Sequence, residues 1–172
     1  MERVTDRIHN PFGMRAPGEP AVYGYGDANA DFHVIGMDAE THGGAETGIP
    51  FTGSVDGERL QGVLHEVGFA AEPYSDEPSL SNCYLSYLHL SPGDPADLER
   101  YIDAELRAIN AHILIGVGDE VLSYLLREFT TQAADLPADT DALHAEEIRG
   151  RGFLVVAVKD PKAWETGDRD AL

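Results

Sequence analysis

The residues best placed to do chemistry fall in two stretches. The first, Gly36–Gly53, sets Asp38, Glu40 and His42 beside Gly43, Gly44, Gly48 and Gly53. Glycine lets a backbone approach a ligand closely, so a small phosphorylated ligand at this loop is one reading of it. The second stretch concentrates positive charge. Arg149, Arg151, Lys159 and Lys162 are four of the chain's 12 Lys+Arg, and on an acidic chain they form the candidate phosphate-binding patch. Cys83 is the single cysteine, which excludes an intramolecular disulfide and any four-cysteine zinc or iron–sulfur site. His33, His65, His89 and His112 show no ligand spacing, and no metal site is legible.

These residues sit in a markedly acidic chain. Twelve Lys+Arg stand against 31 Asp+Glu in 172 residues, a net charge of −19, and Lys159 and Lys162 are its two lysines. Such a balance argues against a nucleic-acid partner, because phosphate contacts need cations. The acids are dispersed, however, as at Glu46, Asp56, Glu72, Asp97 and Asp119. A dispersed, lysine-poor acidic surface predicts adaptation to high salt, where screening shortens to a few ångströms and self-repulsion is tolerable. Local charge then decides. Hydrophobic residues make up 42% of the chain, enough for a full core in a single domain over residues 1–172. Apolar runs such as Phe153–Val158 are too short to span a bilayer, and Met1–Asp6 lacks the apolar stretch of a secretory leader. A cytoplasmic protein is expected.

The elements that must position the two stretches alternate between strand and helix. Strands are predicted at Phe32–Met37, Leu80–Tyr87, His112–Val117 and Phe153–Val158. A helix over Gly57–Val67 places Leu60, Val63, Leu64 and Val67 on one face, with Gly68 closing it. Asp94-Pro95 supplies an N-cap and a proline at the first helical position, opening a helix through Ile109. A third helix spans Asp119–Phe129, and Thr130–Asp141 reads as loop. The pattern predicts a three-layer α/β/α fold around a mostly parallel four-stranded sheet. In such sheets ligands bind beyond the carboxyl ends of the strands. Gly36–Gly53, Asn82–Pro92, Gly116–Asp119 and Lys159–Trp164 are therefore the segments expected at the site.

The lead-in Tyr23-Gly24-Tyr25-Gly26-Asp27, the strand ending at Gly36, and the loop His42-Gly43 … Thr47-Gly48 … Phe51-Thr52-Gly53 together resemble the uracil-DNA glycosylase superfamily, most closely its microbial families four and five. The likeness continues through Ser81-Asn82-Cys83, the helix after Pro95 and Ile113–Gly118, covering about Val22 to Phe129. It implies a DNA-repair glycosylase that flips a uracil or related deaminated base into a pocket and hydrolyses its N-glycosidic bond without a cofactor. Gly36 and Met37 would line that pocket. Phe51 would stack on the base, or else fill the core under a turn. Asp38, with Glu40 as the second carboxylate, would orient water and stabilise the sugar cation, or else cap a loop. Asn82 would read the base edge with its amide, or else form a turn. His42, with Gly43, would contact a phosphate or sugar, or cap the turn.

The resemblance breaks at the family's second motif, a His-Pro pair after the last strand whose histidine donates to the base. Asp160-Pro161 stands there instead. An ionised aspartate cannot donate and repels a leaving anion, which leaves Lys159 or Lys162 to supply positive charge. Trp164 would stack on DNA or pack the C-terminal tail. Two functions therefore stand: a glycosylase acting on DNA, and a catalytically inactive nucleic-acid or nucleobase-binding module of the same fold.

Overall fold

A computed structural model describes residues 9–133 and 135–172; the Met1–Asp6 segment, read above for a leader, lies outside them. The chain forms β1 (Tyr25–Gly26), β2 (Phe32–Gly36), α1 (Ala39–His42), α2 (Val55–Glu66), β3 (Cys83–Tyr87), α3 (Pro95–Ile109), β4 (Ile113–Val117), α4 (Asp119–Phe129), α5 (Thr140–Leu143), β5 (Glu147–Arg149) and β6 (Leu154–Val158). The strands make one sheet in the order β1-β3-β2-β4-β6-β5. Its four central strands are parallel and its two edges antiparallel.

The central strands are buried on both faces, which is why they read as near-continuous apolar runs. In β2, Val34 faces a layer with Leu60 and Leu64 of α2. Ile35 faces the opposite layer, with Ile102 and Leu106 of α3 and Leu122 and Leu125 of α4. α3 and α4 start where the sequence places them, and α2 starts at Val55, two residues before the expected Gly57. Ser54 caps α2 by accepting the Gly57 N–H at 3.0 Å, and Asp94 caps α3 by accepting the Ala96 N–H at 3.0 Å. Asn110, in the left-handed region at φ +52, ends α3.

The α/β/α architecture is as expected, with two differences. The sheet has six strands rather than four, because β1 and β5 are two and three residues long and too short to show a period. The second predicted strand starts at Cys83 rather than Leu80, since Asn82 takes a left-handed turn conformation at φ +59. Among the described residues no helix is long and apolar enough to cross a membrane.

Candidate active site

The carboxyl ends of β2, β4 and β6 open onto one cavity of about 610 Å³. From β2 come Met37, Asp38 and Glu40; from β4, Gly118 and Asp119; from β6, Lys159 and Asp160. The parallel register carries all three ends to the same edge, so the first and last motifs meet there although most of the sequence separates them. Asp38 is half-buried and caps α1, its Oδ1 taking the Thr41 N–H at 2.7 Å. Capping and facing the cavity are compatible, because one carboxylate oxygen suffices for the cap. Glu40, two residues on, is exposed on the same rim.

Behind Asp38 the glycine loop folds over three rings. A Cβ on Gly36 would fall 2.5 Å from Phe51 Cζ, 2.9 Å from His42 Nδ1 and 2.9 Å from Tyr87 Cε1, so only glycine lets these rings meet over the strand end. Phe51 and His42 stand 5.2 Å apart, centroid to centroid, tilted by 32°. Both are fully buried. Gly43 and Gly44 adopt φ +96 and +103, and a Cβ on either would lie 2.2 Å from the carbonyl oxygens of Thr52 and Ile49. These glycines serve close backbone packing within the loop.

His42 joins the two motifs. Its Nδ1 accepts the Met37 N–H at 2.9 Å, so the ring proton sits on Nε2, which donates to Asp160 Oδ1 at 2.7 Å. That donor holds the Asp160 carboxyl below its ordinary range, against the opposing effect of partial burial. His42 thus holds its own loop through the Met37 N–H and does not reach solvent.

Four expected site residues lie elsewhere. Asn82 sits at the amino end of β3, its Oδ1 taking the Asp31 N–H at 2.8 Å and its own N–H bonding Asp27 Oδ2 at 3.0 Å. The whole length of the strand separates it from the cavity, and the turn role accounts for it. The basic patch is also split. Arg149 pairs with Leu154, the first residue of β6, while Lys159 follows its last; a five-residue strand puts them roughly 16 Å apart. Arg149 and Arg151 are exposed at that far edge. Lys162 is exposed at the near edge, 3.9 Å from Asp56. Lys159 does line the cavity, but its Nζ lies 2.8 Å from Asp168 Oδ2 and 3.7 Å from Asp141, which raises its pKa. Trp164 is anchored, donating from Nε1 to Lys159 O at 2.8 Å.

Tyr87 was missed. It ends β3 at the carboxyl edge, inside the Asn82–Pro92 segment expected at the site, where a site residue from that strand belongs; no role was assigned to it because the asparagine at the other end of the strand drew the base-reading role. The Lys159–Asp168 pair left no sequence signal. Among the described residues no group of three or more His, Cys, Asp or Glu side chains is arranged to hold a metal ion.

The family model described as Uracil DNA glycosylase superfamily matches residues 23–167. A curated relative, the Type-5 uracil-DNA glycosylase of Thermus thermophilus, is 38% identical over 76 residues, which cover 40% of this chain and 35% of the relative. The match thus spans about a third of the relative's length.

Proposed function

Since this chain belongs to the uracil DNA glycosylase superfamily, we propose that it hydrolyses the N-glycosidic bond of uracil or a related deaminated base in DNA, at the cavity beyond β2, β4 and β6. The observation that carries the reading is Asp38: a half-buried carboxylate on that cavity, with Oδ1 fixed by the Thr41 N–H and Oδ2 left to orient a water. As the C1′–N bond breaks, its electron pair leaves with the base and the sugar becomes cationic. Asp38 stabilises that cation; as the C1′–O bond forms, the attacking water passes its proton to the Asp38 carboxylate, and solvent carries a proton to the departing base anion. Glu40 adds negative charge at the rim.

The leaving base is poorly served. Asp160 presents negative charge where it departs, and Lys159 is held by Asp168. Loss of one preorganised donor costs about 10²–10³-fold in rate, so turnover is slow by the standards of such chemistry. The acidic surface also calls for high salt before DNA can approach.

A second reading, a non-catalytic module that binds a nucleobase or nucleic acid, is favoured by that same engaged Lys159. One assay separates the two. Oligonucleotides carrying uracil, hypoxanthine or xanthine are incubated with the protein at molar salt and then treated with alkali. Cleavage that disappears in Asp38→Asn supports the glycosylase, and binding without cleavage supports the module. No interaction with single- or double-stranded DNA across the salt range rejects both.

A further inference from the structure

The ring proposed to hold a base, Phe51, is not available to one in this conformation. It is fully buried, and it lines none of the larger cavities among the described residues. His42 packs against it at the centroid separation and tilt of an aromatic pair, and Tyr87 flanks it at 5.4 Å. The imidazole also satisfies the groups a base would use: Nδ1 takes the Met37 N–H, and the Nε2 proton is given to the second-motif residue Asp160. In outline His42 occupies the place of a planar heterocycle, with one acceptor and one donor on its edge.

We infer that Asp160 is a positioning residue: by accepting the His42 Nε2 proton it holds the imidazole over Phe51 and keeps the base site closed. A base reaches Phe51 only after the His42–Asp160 hydrogen bond breaks and the ring turns away. The pieces on either side of the latch permit this. Asp160 is the exposed partner, with 34% of its side chain accessible against none for His42. Its side chain makes no capping bond to the helical turn that follows, so it can leave without unwinding that turn. Tyr87 stays behind, because its hydroxyl is fixed by the Phe51 N–H at 2.8 Å and by Gly43 O at 2.6 Å. Phe51 therefore remains in place when His42 moves. The substitution that removes the family's donor at this position thus installs a gate in the same stroke. This inference rests on the proposed glycosylase reading for what enters the site, but not for the latch itself.

The test compares Asp160→Ala with Asp160→Asn. Both remove the charge, and only asparagine retains an oxygen to accept the Nε2 proton, so the pair separates the latch from simple relief of repulsion. Two readouts are taken on the full chain. The first is hydrogen exchange of the Met37 amide, which the imidazole protects; it is expected to rise at least tenfold in Asp160→Ala and to stay near wild type in Asp160→Asn. The second is binding of an oligonucleotide carrying a cleavage-resistant 2′-fluorinated deoxyuridine, expected at least tenfold tighter in Asp160→Ala than in Asp160→Asn. Equal Met37 exchange in all three proteins overturns the latch, as does measurable oligonucleotide binding that is equally tight in the two variants. Met37 exchange that rises in Asp160→Ala, with no oligonucleotide bound by any of the proteins, upholds the latch and rejects the glycosylase reading.

Discussion

Phe51 donates its N–H to the hydroxyl of Tyr87 at 2.8 Å, while the two rings stand 5.4 Å apart at 63°. The same hydroxyl donates to Gly43 O at 2.6 Å. One side chain from β3 thus fixes both halves of the glycine loop, and it does so at a residue, Phe51, whose φ of +59 the loop must enforce. Tyr87→Phe keeps the ring and removes both hydrogen bonds. Each largely buried group left without its partner costs about 1–3 kcal/mol, so the variant is expected to lose roughly 2–6 kcal/mol. A urea midpoint that falls with an unchanged m-value checks this; an unchanged midpoint would show that the loop holds itself.

What could be read from the sequence followed from local patterns. The four parallel strands and three long helices announced themselves through apolar periods and caps, as at Asp94-Pro95. Strands β1 and β5 did not, because a strand of two or three residues has no period to detect. At the site, Asp38, Glu40, Lys159 and Asp160 reach one cavity, since each follows the end of a parallel strand. Asn82 was misplaced because a turn asparagine before a strand and one after it look alike in sequence. The basic patch failed for a different reason: residues at the two ends of one strand are close in sequence and far apart in space. The His42–Asp160 bond was invisible, as it depends on which side chains the sheet brings together across 118 positions.

Asp38 carries two separable duties, a helix cap and a charge. Asp38→Asn retains an oxygen for the Thr41 N–H and removes the charge. It is expected to stay within about 1 kcal/mol of wild-type stability, on the order set by a retained cap, while base release falls about 100-fold or more. Asp38→Ala loses the cap as well, costing about 0.5–2 kcal/mol. Thermal melts and single-turnover cleavage on the same preparations check the split. Equal stability losses in both variants would show that the carboxylate contributes to the fold chiefly through its charge.

Lys159 is a cation on the cavity whose charge is already used. Its Nζ lies 2.8 Å from Asp168 Oδ2, and Asp168 also accepts the Glu165 N–H at 2.7 Å. The carboxyl of Asp168 is held below its usual range, first by that backbone donor and then by Lys159. Asp168→Asn retains an oxygen for Glu165 and releases the ammonium. DNA binding by this variant is expected to depend more steeply on salt, by about 0.9 in the slope of log K against log salt for duplex, the mark of one added phosphate contact. Lys159→Met in the wild-type background should leave the slope unchanged. Anisotropy titrations at several salt concentrations decide, and a slope that falls in Lys159→Met would show that Lys159 already grips a phosphate.

Glu105 and His33 carry opposite pH dependences inside the same layer. Glu105 is buried with its Oε2 taking the Tyr84 hydroxyl at 2.9 Å, and burial pushes its pKa up from 4.5 to about 7 despite hydrogen bonds from Tyr84 and Ser86. His33 is wholly buried, its Nε2 2.6 Å from Ser86 Oγ and its Nδ1 unpartnered among the described residues. Burial pulls its pKa down from 6.5 to about 3. A raised carboxyl pKa means that the native state holds the proton longer, so the Glu105 contribution is full below about pH 4.5 and declines up to about pH 7. A lowered imidazole pKa means that the unfolded state binds the proton first, so the His33 contribution is full above about pH 6.5 and is lost as pH falls toward 3. Between about pH 4.5 and 6.5 the two slopes oppose each other and largely cancel. Glu105→Gln removes one of them. Its stability relative to wild type is therefore expected to climb from about pH 4.5 to 7 by an amount on the order of 3 kcal/mol, whatever offset the changed packing adds at low pH. Urea midpoints across that range check the climb. A difference between the two proteins that is constant with pH would mean that Glu105 is already ionised throughout and that its partners in the layer offset the burial.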